Sequence, residues 1–173
     1  MNIALIGYRG TGKSTVGRQL AGALQYEFAD ADDELVARDG RTIQQIFADD
    51  GEPFFRDLES QILADLVSRT ATVVALGGGV VVREQNHELL AHSTTCWLRA
   101  SASTLHQRLH ADPNTAAQRP NLTPEGGLTE IERLLQQRLP LYQKCADFTI
   151  DTDALSPAEI VTEILALPLL GRD

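Results

Sequence analysis

Cysteine is almost missing from this sequence, with Cys96 and Cys145 the only two. A pair so far apart builds neither a disulfide framework nor a zinc site, so free, buried thiols in a reducing cytosol are expected. Also missing is an apolar run of the roughly 18 residues or more that a bilayer span needs. No charged segment precedes the apolar stretch from Ile3 to Ile6, so no secretory leader is expected and the chain reads as soluble and cytoplasmic. Positive charge is in short supply: 15 Lys and Arg stand against 24 Asp and Glu, a formal net charge of -9. Nucleic acid and anionic membranes are normally met by a basic surface, so neither is an expected partner. Any cation used for binding must act locally. Low-complexity tracts and internal repeats are absent too, so a generally disordered state is not expected. What remains is a chain of 173 residues, 43% hydrophobic and 23% charged, enough for one compact domain around one core.

Short apolar runs recur at Ile3 to Ile6, Tyr26 to Ala29, Thr72 to Leu76, Thr95 to Leu98 and Phe148 to Ile150. Helical patterns separate them, at about 13–24, 32–38, 42–49, 53–68, 101–110, 127–143 and 157–166. Strands alternating with helices predict an α/β fold with a parallel sheet covered on both faces. Ser156-Pro157 offers an N-cap and first-turn proline, and Pro53 suits the first turn of its helix. Between Ala111 and Gly127, Pro113, Pro120, Pro124 and Gly126-Gly127 interrupt any pattern. A connection this long is uncommon in a compact domain, and a functional lid is the expectation.

The segment Gly7-Tyr8-Arg9-Gly10-Thr11-Gly12-Lys13-Ser14 satisfies the P-loop pattern, with a strand before it and a helix after it. Gly7, Gly10 and Gly12 allow backbone conformations that turn successive N–H groups onto phosphate oxygens at the positive end of a helix. Lys13, one of only two lysines, brings charge to the β- and γ-phosphates, and Ser14 offers a hydroxyl to Mg²⁺. A P-loop alone fits a switch GTPase, a motor ATPase or a small-molecule kinase. Lys144-Cys145-Ala146-Asp147-Phe148 stands near the last strand where a GTPase would need an Asn-Lys-x-Asp guanine reader.

Asp30 and Asp32 close the second strand, and residues two apart in an extended segment face one side. Such a pair suits Mg²⁺ and an acceptor hydroxyl, or else caps the following helix, whose start is also acidic at Asp33 and Glu34. In the fourth helix Glu59 falls within the apolar stripe of Phe55, Leu58, Ile62 and Leu66, with Arg56 as its natural partner. Arg56 could present its fork to an anion or serve only as an intrahelical ion pair. Arg138 interrupts the stripe of Ile131, Leu134, Leu135 and Tyr142, and either answers an anion in a cavity or forms a buried ion pair. A kink at Pro140 would spoil that geometry. Gly77, Gly78 and Gly79 end the third strand, where backbone amides could approach a ligand at the carboxyl edge of the sheet. Arg119-Pro120, in the expected lid, offers a cation to a phosphoryl group in transfer, or is an exposed loop arginine.

Taken in order, these features resemble the shikimate kinase family of the nucleoside-monophosphate-kinase-like branch of P-loop proteins. They comprise the P-loop, Asp30-x-Asp32, Gly51-Glu52 with Phe55-Arg56 and Glu59, Gly77 to Gly79, Arg119-Pro120, and Arg138 with Pro140-Leu141-Tyr142. The resemblance covers almost the whole chain. It implies transfer of the γ-phosphoryl group of ATP to the 3-hydroxyl of shikimate, on the route to chorismate and the aromatic amino acids. It also implies a five-stranded parallel sheet in the order 2-3-1-4-5, a single kinase domain and a monomer. The core would be 1–30, 61–110 and 125–173, the shikimate-binding region 31–60 and the lid 111–124. By the same resemblance Gly10, Thr11, Gly12, Lys13, Ser14 and Thr15 hold the phosphates, Ser14 and Asp30 serve Mg²⁺, and Arg108 lies against the adenine. Asp32 meets the reacting hydroxyl. Arg56 and Arg138 clamp the carboxylate with Glu59 in support, Gly77 to Gly79 hydrogen-bond the substrate, and Lys13 and Arg119 stabilise the transferring phosphoryl. The lid departs from the family in placing Asn121 before Leu122 and in the length of 108–119. Gluconate kinase, which shares the P-loop and lid, and a non-catalytic nucleotide-binding module are the alternatives.

Overall fold

A computed structural model of the chain describes residues 1–111 and 127–168. Its elements, in chain order, are β1 (Ile3–Ile6), α1 (Lys13–Leu24), β2 (Glu27–Asp30), α2 (Ala31–Asp39), α3 (Ile43–Asp49) and α4 (Gly51–Ser68). They continue as β3 (Thr72–Ala75), a short 3-10 turn (Val80–Val82), α5 (Gln85–Leu90), β4 (Thr94–Arg99), α6 (Ala102–Ala111), α7 (Gly127–Cys145), β5 (Phe148–Asp151) and α8 (Pro157–Leu165). The five strands form one sheet in the order β2-β3-β1-β4-β5, and every neighbouring pair is parallel. The expected α/β architecture and strand order are those observed.

β1 lies at the centre of the sheet, with Ile3 opposite Val73 on one side and Thr94 on the other. Its four residues are fully buried, because a parallel strand covered on both faces is apolar throughout rather than alternating. Alternation still decides which face each side chain joins. Ala4 and Ile6 pack with Val74, Leu76 and Trp97 against α4 and Tyr142 of α7. Ile3 and Leu5 pack with Val73, Cys96 and Leu98 against Val16 and Leu20 of α1 and Ile160 and Ile164 of α8. α8 begins with a full capping box of Ser156 and Glu159 behind Pro157, and α3 with one of Thr42 and Gln45. The turn at Val80–Val82 and helix α5 were not apparent from the sequence. Gln85–Leu90 is only six residues long, too short to establish a period. Among the described residues no helix is long and apolar enough to cross a membrane.

Both cysteines are free, Cys96 buried in the sheet and Cys145 half-buried at the end of α7. Burial pushes the Cys96 thiol up to about 12 and raises that of Cys145 as well. A rise of that size leaves Cys96 about a thousandfold less thiolate than an ordinary cysteine at the same pH. Alkylation of the native protein at mildly alkaline pH, followed by peptide mass spectrometry, should therefore modify Cys145 first and Cys96 only on unfolding. Equal rates in the native protein would contradict this packing.

Candidate active site

The P-loop connects β1 to α1, and its glycines occupy positive φ: +142° at Gly7, +84° at Gly10 and +91° at Gly12. At Gly7 the constraint is also steric, since a Cβ would run into the Leu98 carbonyl oxygen. The Thr11 hydroxyl donates to the Tyr8 carbonyl at 2.9 Å and fixes the turn from inside. Lys13 donates from Nζ to the carbonyls of Gly7 and Tyr8, each at 2.9 Å, so the ammonium lies over the loop. α1 starts behind Gly12 with neither a side-chain cap nor an acidic residue in its first turn. Its positive end is thus open to an anion. Ser14 and the exposed Thr15 stand in that first turn.

Ser14 donates from Oγ to Oδ2 of Asp30 at 2.6 Å. The other Asp30 oxygen accepts from the Asp32 amide at 3.0 Å and caps α2. Asp30 and Asp32 do not share one face of a strand. The strand stops at Asp30 and Asp32 belongs to the first turn of α2, so the two are related by a helix cap rather than by strand alternation. The capping role of Asp30 is real, and coexists with its bond to Ser14.

On α4, Phe55, Leu58, Ile62 and Leu66 are all buried, with Glu59 only 5% and Arg56 8% exposed. Arg56 donates from Nη1 to Glu59 at 2.7 Å and from Nε and Nη2 to Glu52 at 3.2 and 3.1 Å. Burial works to lower the Arg56 pKa, but the Glu59 charge and the hydrogen bonds to both glutamates outweigh it and hold the guanidinium charged. The ion pair is therefore present. It also fixes the fork in one place.

That place is beside Gly79. An added Cβ there would come within 2.6 Å of Arg56 Nη2. Gly78 is tight for another reason: its Cβ would sit 3.3 Å from both the Arg9 amide nitrogen and the Gly7 carbonyl oxygen. Neither Gly77, Gly78 nor Gly79 has a positive φ, so close approach rather than conformational freedom explains glycine at 78 and 79. The Gly78 carbonyl accepts from Arg138 Nη1 at 3.1 Å and from the Tyr142 hydroxyl at 2.6 Å. α7 continues through Pro140, and Arg138 still reaches the Gly78 carbonyl. Among the described residues no carboxylate pairs with Arg138. Its guanidinium carbon stands 5.8 Å from the centre of the Tyr8 ring.

Gly77 to Gly79 thus bring Arg56 and Arg138 alongside the P-loop. Arg108, on α6, donates to the Thr152 carbonyl at 2.6 Å and hydroxyl at 3.1 Å, just past the end of β5. Arg119, Asn121, Leu122 and the lid residues 112–124 lie outside the described residues. Tyr142, Tyr8, Arg9 and Glu130 are structural participants that sequence reasoning did not single out for the site. Glu130 carried a usable signal, because it lies one turn and two turns of about four residues before Leu134 and Arg138 on the same stripe.

The shikimate kinase family model matches residues 9–167. A shikimate kinase of Rhodopirellula baltica is 41% identical over 165 residues, covering 95% of this chain and 88% of its own. One of Limosilactobacillus fermentum is 41% identical over 175 residues, covering 100% and 98%. The chain belongs to the shikimate kinase family. Among solved structures, a shikimate kinase from Acinetobacter baumannii in complex with shikimate matches with a TM-score of 0.91 at 37% identity, over 99% of this chain and 94% of that one. The P-loop and glycine turn described above are thus those of a shikimate kinase family member, a family that takes ATP as co-substrate.

The two bonds of Asp30 can be separated by substitution. Asn caps a helix about as well as Asp, whereas Ala forfeits about 0.5–2 kcal/mol. In urea denaturation Asp30→Ala should lose stability in that range and Asp30→Asn should stay close to the parent. Equal losses would show that the cap is not what Asp30 contributes to folding.

Proposed function

We propose that this chain transfers the γ-phosphoryl group of ATP to the 3-hydroxyl of shikimate, giving shikimate 3-phosphate and ADP. The observation that carries the reading is the placement of Arg56 beside Gly79 and of Arg138 on the Gly78 carbonyl, at one glycine turn whose Gly78 lies against the P-loop backbone. Two fixed guanidinium groups suit a substrate carboxylate, which accepts paired N–H donors. The shikimate complex of the Acinetobacter baumannii relative supports the same acceptor.

In this reading the amides of Gly10, Thr11 and Gly12 and the start of α1, with Ser14 and Thr15, hold the ATP phosphates. Lys13 leaves its carbonyl contacts with Gly7 and Tyr8 for the β- and γ-phosphates. The Ser14 hydroxyl and the Asp30 carboxylate, both hard oxygen donors 2.6 Å apart, suit Mg²⁺. Among the described residues no group of three or more acidic, histidine or cysteine side chains could hold a metal alone. That agrees with an ion held by one carboxylate and a hydroxyl together with nucleotide phosphates. When bound, the ion would offset phosphate charge. Asp32, in the first turn of α2, orients the acceptor hydroxyl and receives its proton as the bond to phosphorus forms. A loose transition state asks for little base strength there. Arg56 and Arg138 bind the carboxylate, Glu59 holds Arg56 in place, and Gly77 to Gly79 line the substrate. Arg119, from a lid at 111–124, would stabilise the transferring charge with Lys13, and Arg108 would face the adenine. The remaining assignments are a shikimate-binding region at 31–60, a core of 1–30, 61–110 and 125–173, a monomeric state and a cytoplasmic location.

Coupled measurement of ADP release should give turnover with shikimate, and only background with gluconate or without acceptor. Equal release in all three would refute the acceptor. Arg138→Ala should lower kcat/KM for shikimate by about one hundredfold, mainly through KM, with KM for ATP nearly unchanged. Unaltered shikimate kinetics would remove Arg138 from the acceptor site.

A further inference from the structure

Two P-loop positions whose side chains the phosphate-binding pattern leaves open, Tyr8 and Arg9, are the ones that α7 engages. Tyr8 is buried in a small apolar cluster with Ala100, Leu105 and Ile131. Arg9 reaches Glu130, one residue before Ile131, with Nη2 3.5 Å from Oε1. Glu130 is 1% exposed, and a carboxylate in such a place is a poor way to gain stability compared with an apolar side chain. Two and three turns further along α7, Arg138 and Tyr142 bind the Gly78 carbonyl, and Gly78 itself abuts the backbone of Gly7 to Arg9. The P-loop is therefore tied to α7 at two levels. One level involves the residues proposed to hold substrate. The other, Arg9 with Glu130, touches neither substrate in the proposed arrangement.

The tie matters because the two reacting groups are carried by different elements. ATP rides on the P-loop and α1, while the acceptor carboxylate is held from α4 and α7. Phosphoryl transfer requires the donor phosphorus and the acceptor oxygen to be close and aligned, and an error of about 1 Å can cost about a hundredfold in rate. We infer that Arg9 and Glu130 form a positioning pair, setting the P-loop against α7 and hence the separation of bound nucleotide and acceptor. The inference rests on the shikimate kinase reading above.

Steady-state kinetics of Glu130→Gln, Arg9→Met and the double variant test it, with the active fraction of each normalised by titration of nucleotide binding. Each single change should lower kcat about tenfold or more, leaving both KM values within about threefold, because neither residue binds substrate. The double variant should be no slower than the worse single, since both changes break the same contact. Arg9→Lys, which keeps the charge, should recover much of the lost rate. A purely structural role would lower the melting temperature while leaving kcat of the folded fraction intact. That result, a shift in KM without one in kcat, or strictly additive losses would each overturn the inference. Should Glu130→Gln not fold, Arg9→Met and Arg9→Lys alter a more exposed residue and carry the same comparison. Parent protein without shikimate-dependent turnover would overturn the functional reading and this inference together. Active parent protein with unaffected variants would overturn only the inference.

Discussion

Both halves of the site depend on the contact between Gly78 and the P-loop backbone. An α-carbon with no side chain lets the turn after β3 lie against Gly7, Tyr8 and Arg9, closer than any other residue would permit without movement. The carbonyl of the same residue takes two donors from α7, Arg138 and Tyr142. Three parts of the chain, the P-loop, the glycine turn and α7, thereby meet at one peptide unit. Tyr142 is also stacked on Trp97 of β4, with ring centres 5.5 Å apart, so the meeting point is anchored in the core beneath it. Rigid support of this kind is what a two-substrate reaction needs, since neither substrate can correct the position of the other.

Electrostatics add a second constraint. An acidic chain with a net charge of -9 is proposed to bind two anionic substrates, so its cations must be fixed where they are useful. They are held in two ways. Lys13 donates to the backbone carbonyls of Gly7 and Tyr8. Arg138 likewise takes a carbonyl. Arg56 has full ionic partners in Glu59 and Glu52, yet its fork remains beside Gly79 at the glycine turn. Removing Glu59 would leave a buried guanidinium with less compensation, and that is costly in a dry environment. The acidic residues thus hold the basic ones in place as well as offsetting their charge.

Much of the fold was legible in the sequence for a simple reason. Parallel strands buried on both faces are written as short apolar runs, and the longer helices between them carry their own period, with capping boxes at the starts of α3 and α8. The P-loop was legible because its chemistry is local: eight consecutive residues contain the turn, the cation and the hydroxyl. Gln85–Leu90 escaped notice because six residues carry too little periodicity. Nothing in the pattern marks the residue at which strand gives way to helix, so strand alternation misplaces Asp32, which lies in the first turn of α2. Arg108 was assigned by resemblance alone, and only the structure reveals its hold on Thr152.

The Gly77 to Gly79 turn and Arg138 mark the boundary between what the sequence and the tertiary structure each decide. By itself the sequence determined the element order, the phosphate-binding loop and the presence of two arginines on apolar stripes, all properties of contiguous residues or of helical spacing. It could not determine why positions 78 and 79 are glycine, because the excluded atoms belong to the P-loop and to Arg56, distant in the chain. Nor could it pair Arg9 with Glu130 across 121 positions of sequence. Only folding brings such groups within a few ångströms, and close packing at that range fixes which side chain fits and which charge is answered.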